Sequence, residues 1–127
     1  MNIDEPPLNE LSQRAIGCAL TVAGTLGSGF AEKVYENSLA HELRKYGLVV
    51  TQQRGATVWY DGVIVGEYTI DLSIADALLV ELKVVRGLET LHWGQCLNYL
   101  MATGFRLCLL FNFGASRLEI KRIVNGL

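Results

Sequence analysis

The stretch Ile70-Asp71-Leu72-Ser73-Ile74-Ala75-Asp76-Ala77-Leu78-Leu79-Val80-Glu81-Leu82-Lys83-Val84 decides the fold of this chain. Read with the two-residue period of a strand, Ile70, Leu72 and Ile74 form one apolar face. Leu78, Val80, Leu82 and Val84 form the matching face on the return strand. Joining those faces sets Leu72 opposite Val80 and Asp71 opposite Glu81, with Lys83 two residues further along the same face. A slip of one residue would turn one apolar set away from the core, so the register is strongly specified. Like charges directly opposite on a sheet are destabilising, and the pairing therefore predicts a cation between them. Oxygen donors with no His or Cys nearby suit Mg2+, Mn2+ or Ca2+ rather than zinc. Mg2+ binds through one or two carboxylates and keeps several waters, which leaves room for a substrate phosphate. A solvated surface hairpin is the alternative. Leu79 and Val85 on the charged face speak against it, because they predict a sheet covered on both sides.

Outward from the hairpin, the pattern reads helix, helix, meander, helix, hairpin. A helix over residues 8–22 carries the stripe Leu11, Ala15, Cys18, Ala19 and Val22. A glycine-rich break follows over Gly24–Gly29, then a second helix over 30–45 that stops at Gly47. Strands are expected at 49–53, 56–60, 63–74 and 78–85, with Asp61-Gly62 as a two-residue turn. A third helix covers 89–102, and strands at 106–113 and 118–124 close the chain. These elements predict an α+β (mixed α/β) fold, with helices packed on a sheet.

Composition bounds the function. With 127 residues, half of them apolar, the chain is expected to form one globular domain with a real core. A net charge of −2 gives no bulk attraction to nucleic acid, so any such binding depends on a local patch and a metal. Arg44, Lys45, Arg54, Arg86, Arg117, Lys121 and Arg122 are candidates for that patch. Cys18, Cys96 and Cys108 are odd in number and lack a CxxC pair, which points to free thiols in a reducing cytoplasm. The acidic start Met1-Asn2-Ile3-Asp4-Glu5-Pro6-Pro7 does not read as a signal peptide, and no segment approaches a membrane span.

Further polar residues fall on helix faces. Glu32, Tyr35, Glu36, Leu39, Leu43 and Tyr46 share one stripe of the second helix, with Glu32 near its centre. An inward glutamate needs a partner, whereas an exposed Glu32 near the helix start is explained by the helix dipole. Gln95 and Tyr99 lie at i, i+4 on the third helix, opposite an apolar face of Trp93, Cys96, Leu97, Leu100 and Met101. Gln95 can orient a water or a phosphate oxygen, or serve as an ordinary polar helix residue. His92 and Cys96 are also at i, i+4, but two ligands do not make a zinc site. His41 reads as a surface histidine. Gly24, Gly27 and Gly29 follow a helix and lack the Lys-Ser/Thr of a P-loop, so they read as a turn.

Asp71 followed by Glu81-Leu82-Lys83 resembles the core of the PD-(D/E)XK nuclease superfamily. Gly29-Phe30-Ala31-Glu32-Lys33-Val34-Tyr35 resembles the signature of the GxxExxY family, a small bacterial group placed in that superfamily. The resemblance continues through Tyr60-Asp61-Gly62, Gln95-Cys96-Leu97-Asn98-Tyr99-Leu100 and Leu109-Leu110-Phe111-Asn112-Phe113-Gly114, nearly the whole chain. It departs at Val22-Ala23-Gly24, where family members often carry a His, and at Gly27-Ser28-Gly29, which replaces Gly-Pro-Gly.

The resemblance implies a restriction-endonuclease-like core, a central mixed sheet flanked by helices, and a Mg2+ (or Mn2+) ion held by Asp71, Glu81 and the backbone carbonyl of Leu82. It implies Lys83, Glu32 and Gln95 as catalytic residues, with Tyr99, Tyr35 and Glu36 at the substrate. The expected partner is nucleic acid, DNA in the first instance, with a homodimer or a larger partner protein and a cytoplasmic location. A non-catalytic nucleic-acid-binding or assembly module on the same fold, and a hydrolase of smaller phosphodiesters, are the alternatives.

Overall fold

The computed structural model describes residues 7–126, and the segment Met1–Pro6 discussed above lies outside them. Its sheet begins with two tight turns. Asp61 and Gly62, with φ of 52° and 74°, join β1 (Val50–Tyr60) to β2 (Val63–Ile74), the conformation expected of Asp-Gly in a two-residue hairpin. Ala75 and Asp76, also left-handed, turn β2 into β3 (Leu78–Lys83). Leu72 lies opposite Val80, Ser73 opposite Leu79 and Ile74 opposite Leu78, the register that apolar alternation predicts.

From β3 the chain crosses through α3 (Thr90–Thr103) and returns as β4 (Leu107–Asn112), parallel to β3. Parallel strands need such a crossover. β5 (Glu119–Val124) then pairs antiparallel with β4, giving the order β1-β2-β3-β4-β5. Every residue of β4 is buried, as a near-continuous apolar run in a doubly covered sheet should be. On one face α1 (Leu8–Leu26) and α2 (Glu32–Lys45) pack Leu11, Leu39 and Leu43 onto Leu72, Val80 and Phe111. On the other, α3 packs Cys96 and Leu100 onto Leu79, Cys108 and Leu110. Among the described residues the fold is thus a mixed five-stranded sheet flanked by three helices, as expected. Among the described residues no helix is long and apolar enough to cross a membrane.

Several expected boundaries move. α1 runs on to Leu26, since one internal glycine costs a helix only about 1 kcal/mol; it ends at Gly27, whose left-handed N–H donates to the Ala23 carbonyl. The two short strands expected at 49–53 and 56–60 are one strand, continuous through Arg54 and Gly55. Ile70 lies with Leu79 on the α3 side, not with Leu72 and Ile74. The break occurs at Asp71: β1 pairs with β2 at Gln52–Leu72 and Arg54–Ile70, while Gln53 between them has φ 55°. In α3 the buried residues are Cys96, Tyr99 and Leu100, while Trp93, Leu97 and Met101 are exposed. The helix turns Tyr99 toward the charged face of β3, so the expected division of its faces is rotated. Tyr46 lies beyond α2, exposed beneath the Arg14 guanidinium.

The exit of β3 is fastened by Asn112. Its Oδ1 accepts from the Val85 and Gly114 amides at 3.0 and 2.9 Å, and its Nδ2 donates to the Val85 carbonyl and Glu119 at 2.9 and 2.7 Å. A Cβ on Gly114 would overlap the Val85 backbone. Gly114→Ala should therefore cost roughly 1–3 kcal/mol or more in denaturant unfolding. Gly66→Ala, which has open space around it and no positive φ, should change stability far less.

Candidate active site

Asp71 and Glu81 meet where the hairpin stops pairing. The β2–β3 ladder ends at Leu72 and Val80, and beyond it the two carboxyls take over the backbone groups. The Asp71 amide donates to Glu81 Oε1 at 3.1 Å, and the Leu82 amide donates to Asp71 Oδ2 at 2.8 Å. These bonds hold the two acids side by side. The Leu82 amide thus points toward β2, and its carbonyl lies on that same edge of the strand.

Three elements add side chains to the pair. From α3, the Tyr99 hydroxyl donates to Glu81 Oε2 at 3.2 Å. From β3 itself, Lys83 Nζ stands 3.9 Å from the same oxygen, a long and weak ion pair. From the first turn of α2, Glu32 brings its carboxyl within hydrogen-bonding reach of Asp71. The acids are packed closely enough to perturb one another. Burial first, and then the Asp71 charge, push Glu81 up to about 9. The same two causes, in the same order, raise Glu32, with Lys83 opposing. Burial and then Glu81 also raise Tyr99, so its hydroxyl stays protonated and remains a donor.

The sequence candidates separate into two groups. Glu32, Asp71, Glu81, Lys83, Tyr99 and the Leu82 backbone come together, and Gln95 stands half-exposed one helical turn before Tyr99. Glu36 and Tyr35, expected at the substrate, do not join them. Glu36 is only 2 % exposed and accepts from Gln53 at 2.6 Å, Gln52 at 2.7 Å and Lys33 at 2.8 Å. Tyr35 is fully buried, stacks on Phe113, and donates to the Gly27 carbonyl at 2.6 Å. It fixes the loop that launches α2. Glu32 itself is exposed, so the inward acid of the helix stripe is Glu36.

Sequence reasoning gave no role to Gln52 and Gln53. The one signal was the appearance of two amides within a strand, opposite an acid that needed a partner. Of the basic residues, Arg44 bonds the Val50 carbonyl, Arg54 pairs with Asp76, and Arg122 reaches Ser12 and Asn9 on α1. They brace the fold at separate places. His92 accepts from the Glu89 amide at the start of α3, and the Cys96 thiol is buried in the apolar cluster with Cys108, so each is engaged apart from the other.

Among the described residues no three His, Cys, Asp or Glu side chains form a ready chelating set, since Asp71 and Glu81 are turned onto backbone amides. The donor set nonetheless fits a hard divalent ion, which takes one or two carboxylates and completes its shell with water. An opposite charge would also offset the burial and, after it, the Asp71 repulsion that raise Glu81.

A family model described as the PD-(D/E)XK nuclease superfamily matches residues 9–123. No curated protein matches the sequence. Among solved structures, the chain is similar to one titled "Crystal structure of SSO0001", with a TM-score of 0.58 at 17 % identity. That match covers 94 % of this chain and 59 % of the other, and at this identity it speaks for the fold alone.

Without a cation, Glu81 keeps its proton in the folded chain up to about 9, whereas the unfolded chain releases it near the ordinary value of 4.5. Its stabilising contribution is therefore complete below that lower value and is lost as pH rises toward the upper one. In EDTA, the Tm of the protein should fall across this interval. Asp71→Asn, which removes the Asp71 charge but leaves Glu81 buried, should lessen the fall in thermal unfolding followed by circular dichroism.

Proposed function

The chain belongs to the PD-(D/E)XK nuclease superfamily, and on that footing we propose that it is a metal-dependent nuclease hydrolysing phosphodiester bonds of nucleic acid. The observation that carries this reading is the contact between Asp71 and Glu81 at the open end of the hairpin, with Lys83 beside them. Superfamily members generally use divalent metals. Here Asp71, Glu81 and the Leu82 carbonyl would hold the ion, Mg2+ or Mn2+. When bound, such an ion neutralises a phosphate oxygen and lowers the pKa of water.

The chain's own side chains supply the rest. Lys83 keeps its ammonium at the edge of the acid pair, where it stabilises charge developing on the phosphoryl group. Tyr99 donates to Glu81 Oε2 while the Asp71 amide donates to Oε1, so the carboxyl is held at both oxygens. Glu32, reaching Asp71 from α2, has a carboxyl poised to accept a proton from an incoming water once the local negative charge is offset. Gln95, a helical turn before Tyr99, can orient that water or a phosphate oxygen by donating and accepting at once. We further read Gly29–Tyr35 as the GxxExxY signature, the chain as one nuclease-like domain, DNA as the first substrate to test, and the cytoplasm as its location. A homodimer or a larger partner would widen the contact surface.

Labelled single-stranded, duplex and branched DNA, and RNA, should be cleaved in Mg2+ or Mn2+. Asp71→Asn and Lys83→Ala should each lose activity by at least about a hundredfold while keeping the native circular dichroism. Asn can still accept from the Leu82 amide, so Asp71→Asn removes charge without removing that bond. A fully active, folded Asp71→Asn protein would overturn the assignment. Absence of cleavage, with no metal heat in calorimetry, would leave a binding module on a nuclease fold.

A further inference from the structure

Between Thr57 and Tyr68 the β1–β2 hairpin carries Trp59, Tyr60, Val63, Ile64 and Val65, each at least half exposed. So many uncovered apolar side chains in one hairpin mark an interaction surface. Its α3 side forms a groove of about 450 Å³, walled by Trp59, Tyr68, Asn98 and Met101, within the ~300–1,000 Å³ range of small-ligand pockets. The Tyr68 ring meets the Tyr99 ring edge-to-face at 5.3 Å, and Tyr99 in turn bonds Glu81. Two aromatic side chains therefore link the wall of the groove to the acid cluster.

Charge decides what fits there. No Lys or Arg occurs between Gly55 and Tyr68, where the charged residues are Asp61 and Glu67. A phosphate backbone finds no grip on this surface, whereas a flat, uncharged ring does. Trp59 and Tyr68 offer ring faces, Met101 a polarizable contact, and Asn98 an amide that can donate to and accept from a base edge. We propose that this groove is the base-binding subsite of the nuclease, taking an unpaired nucleobase next to the bond being cut. This inference rests on the nuclease reading and narrows its substrate to single-stranded or locally opened nucleic acid. The Tyr68–Tyr99 link to the acid cluster and the amide in the wall favour a base over a second copy of this chain.

The test uses the Asp71→Asn protein in EDTA, so that nothing is cut, with Trp93→Phe added so that Trp59 alone reports. Short oligothymidylate should quench Trp59 fluorescence saturably. Trp59→Ala should weaken binding, followed by anisotropy of a labelled strand, about tenfold or more, the usual loss when one stacking aromatic is removed. Trp59→Phe should restore most of that loss, and duplex of the same length should bind the Trp59→Ala protein and its parent alike. Equal affinity of Trp59→Ala and its parent for the single strand would overturn the subsite. So would a change from dimer to monomer on Trp59→Ala in light scattering, which would make the hairpin an interface between copies. Cleavage assays keep the two readings apart. A metal-dependent cut of duplex that ignores Trp59→Ala sinks the subsite and spares the nuclease. Stacking without any cleavage does the reverse.

Discussion

Two carboxylates in contact, Asp71 and Glu81, set the terms for the surrounding structure. Repulsion between them would normally pull a hairpin apart at that point. Here each acid accepts a backbone amide from the opposite strand, so the strands cannot separate and the acids cannot retreat. The neighbouring elements all answer this pair. Tyr99 comes in from the helix on one face, Glu32 from a helix on the other, and Lys83 from the strand itself. None of these contacts is individually strong. Together they keep three carboxyl groups and an ammonium where sheet, helix and solvent meet, an oxygen-donor cluster suited to a small hard cation.

The contrast between Glu32 and Glu36 shows how environment separates two acids one helical turn apart. Glu36 lies almost wholly out of water, yet two glutamine amides and an ammonium satisfy its oxygens. Left without those donors, it would cost several kcal/mol to bury. Glu32 is wetter but faces Asp71, and its carboxyl is pushed toward the protonated state. The first acid therefore anchors α2 to β1, and the second is left free to exchange protons. Gln53 reaches Glu36 from a left-handed backbone, a conformation costly for a residue with a Cβ. That twist lies in β1 beside Asp71, where the ladder between β1 and β2 lapses, so anchoring the helix and opening the sheet are one local event.

What could be read from the sequence follows from how many residues carried each signal. The hairpin register rested on seven apolar positions repeating every second residue, and the structure keeps it from Leu72 to Ile74. The Asp61-Gly62 turn and the buried run of β4 were legible for similar reasons. The convergence of Glu32, Asp71, Glu81 and Lys83 was implied by register and by resemblance together. Features made by single residues were hidden. No periodicity announces that Gln53 turns left-handed, that Tyr35 spends its hydroxyl on the Gly27 carbonyl, or that α3 rotates to bury Tyr99. Asn112 reads as one more polar residue at a strand end until its four bonds are seen, two to Val85 after β3, one to the Gly114 amide and one to Glu119.

The parallel pairing of β3 with β4 carries a consequence for how the chain comes to life on the ribosome. β1, β2 and β3 are joined by tight turns and can zip together as soon as they emerge. Glu81 and Lys83, however, sit on a strand whose other neighbours, Leu110 and Asn112, are synthesised about thirty residues later, after the whole of α3. Closing that loop is the slow, non-local step of such a topology. Until it happens the acidic hairpin lacks the floor that orients Lys83 and the helix that delivers Tyr99. A partly made chain thus carries the acids without the groups that surround them, and the complete cluster arrives only once β4 has docked.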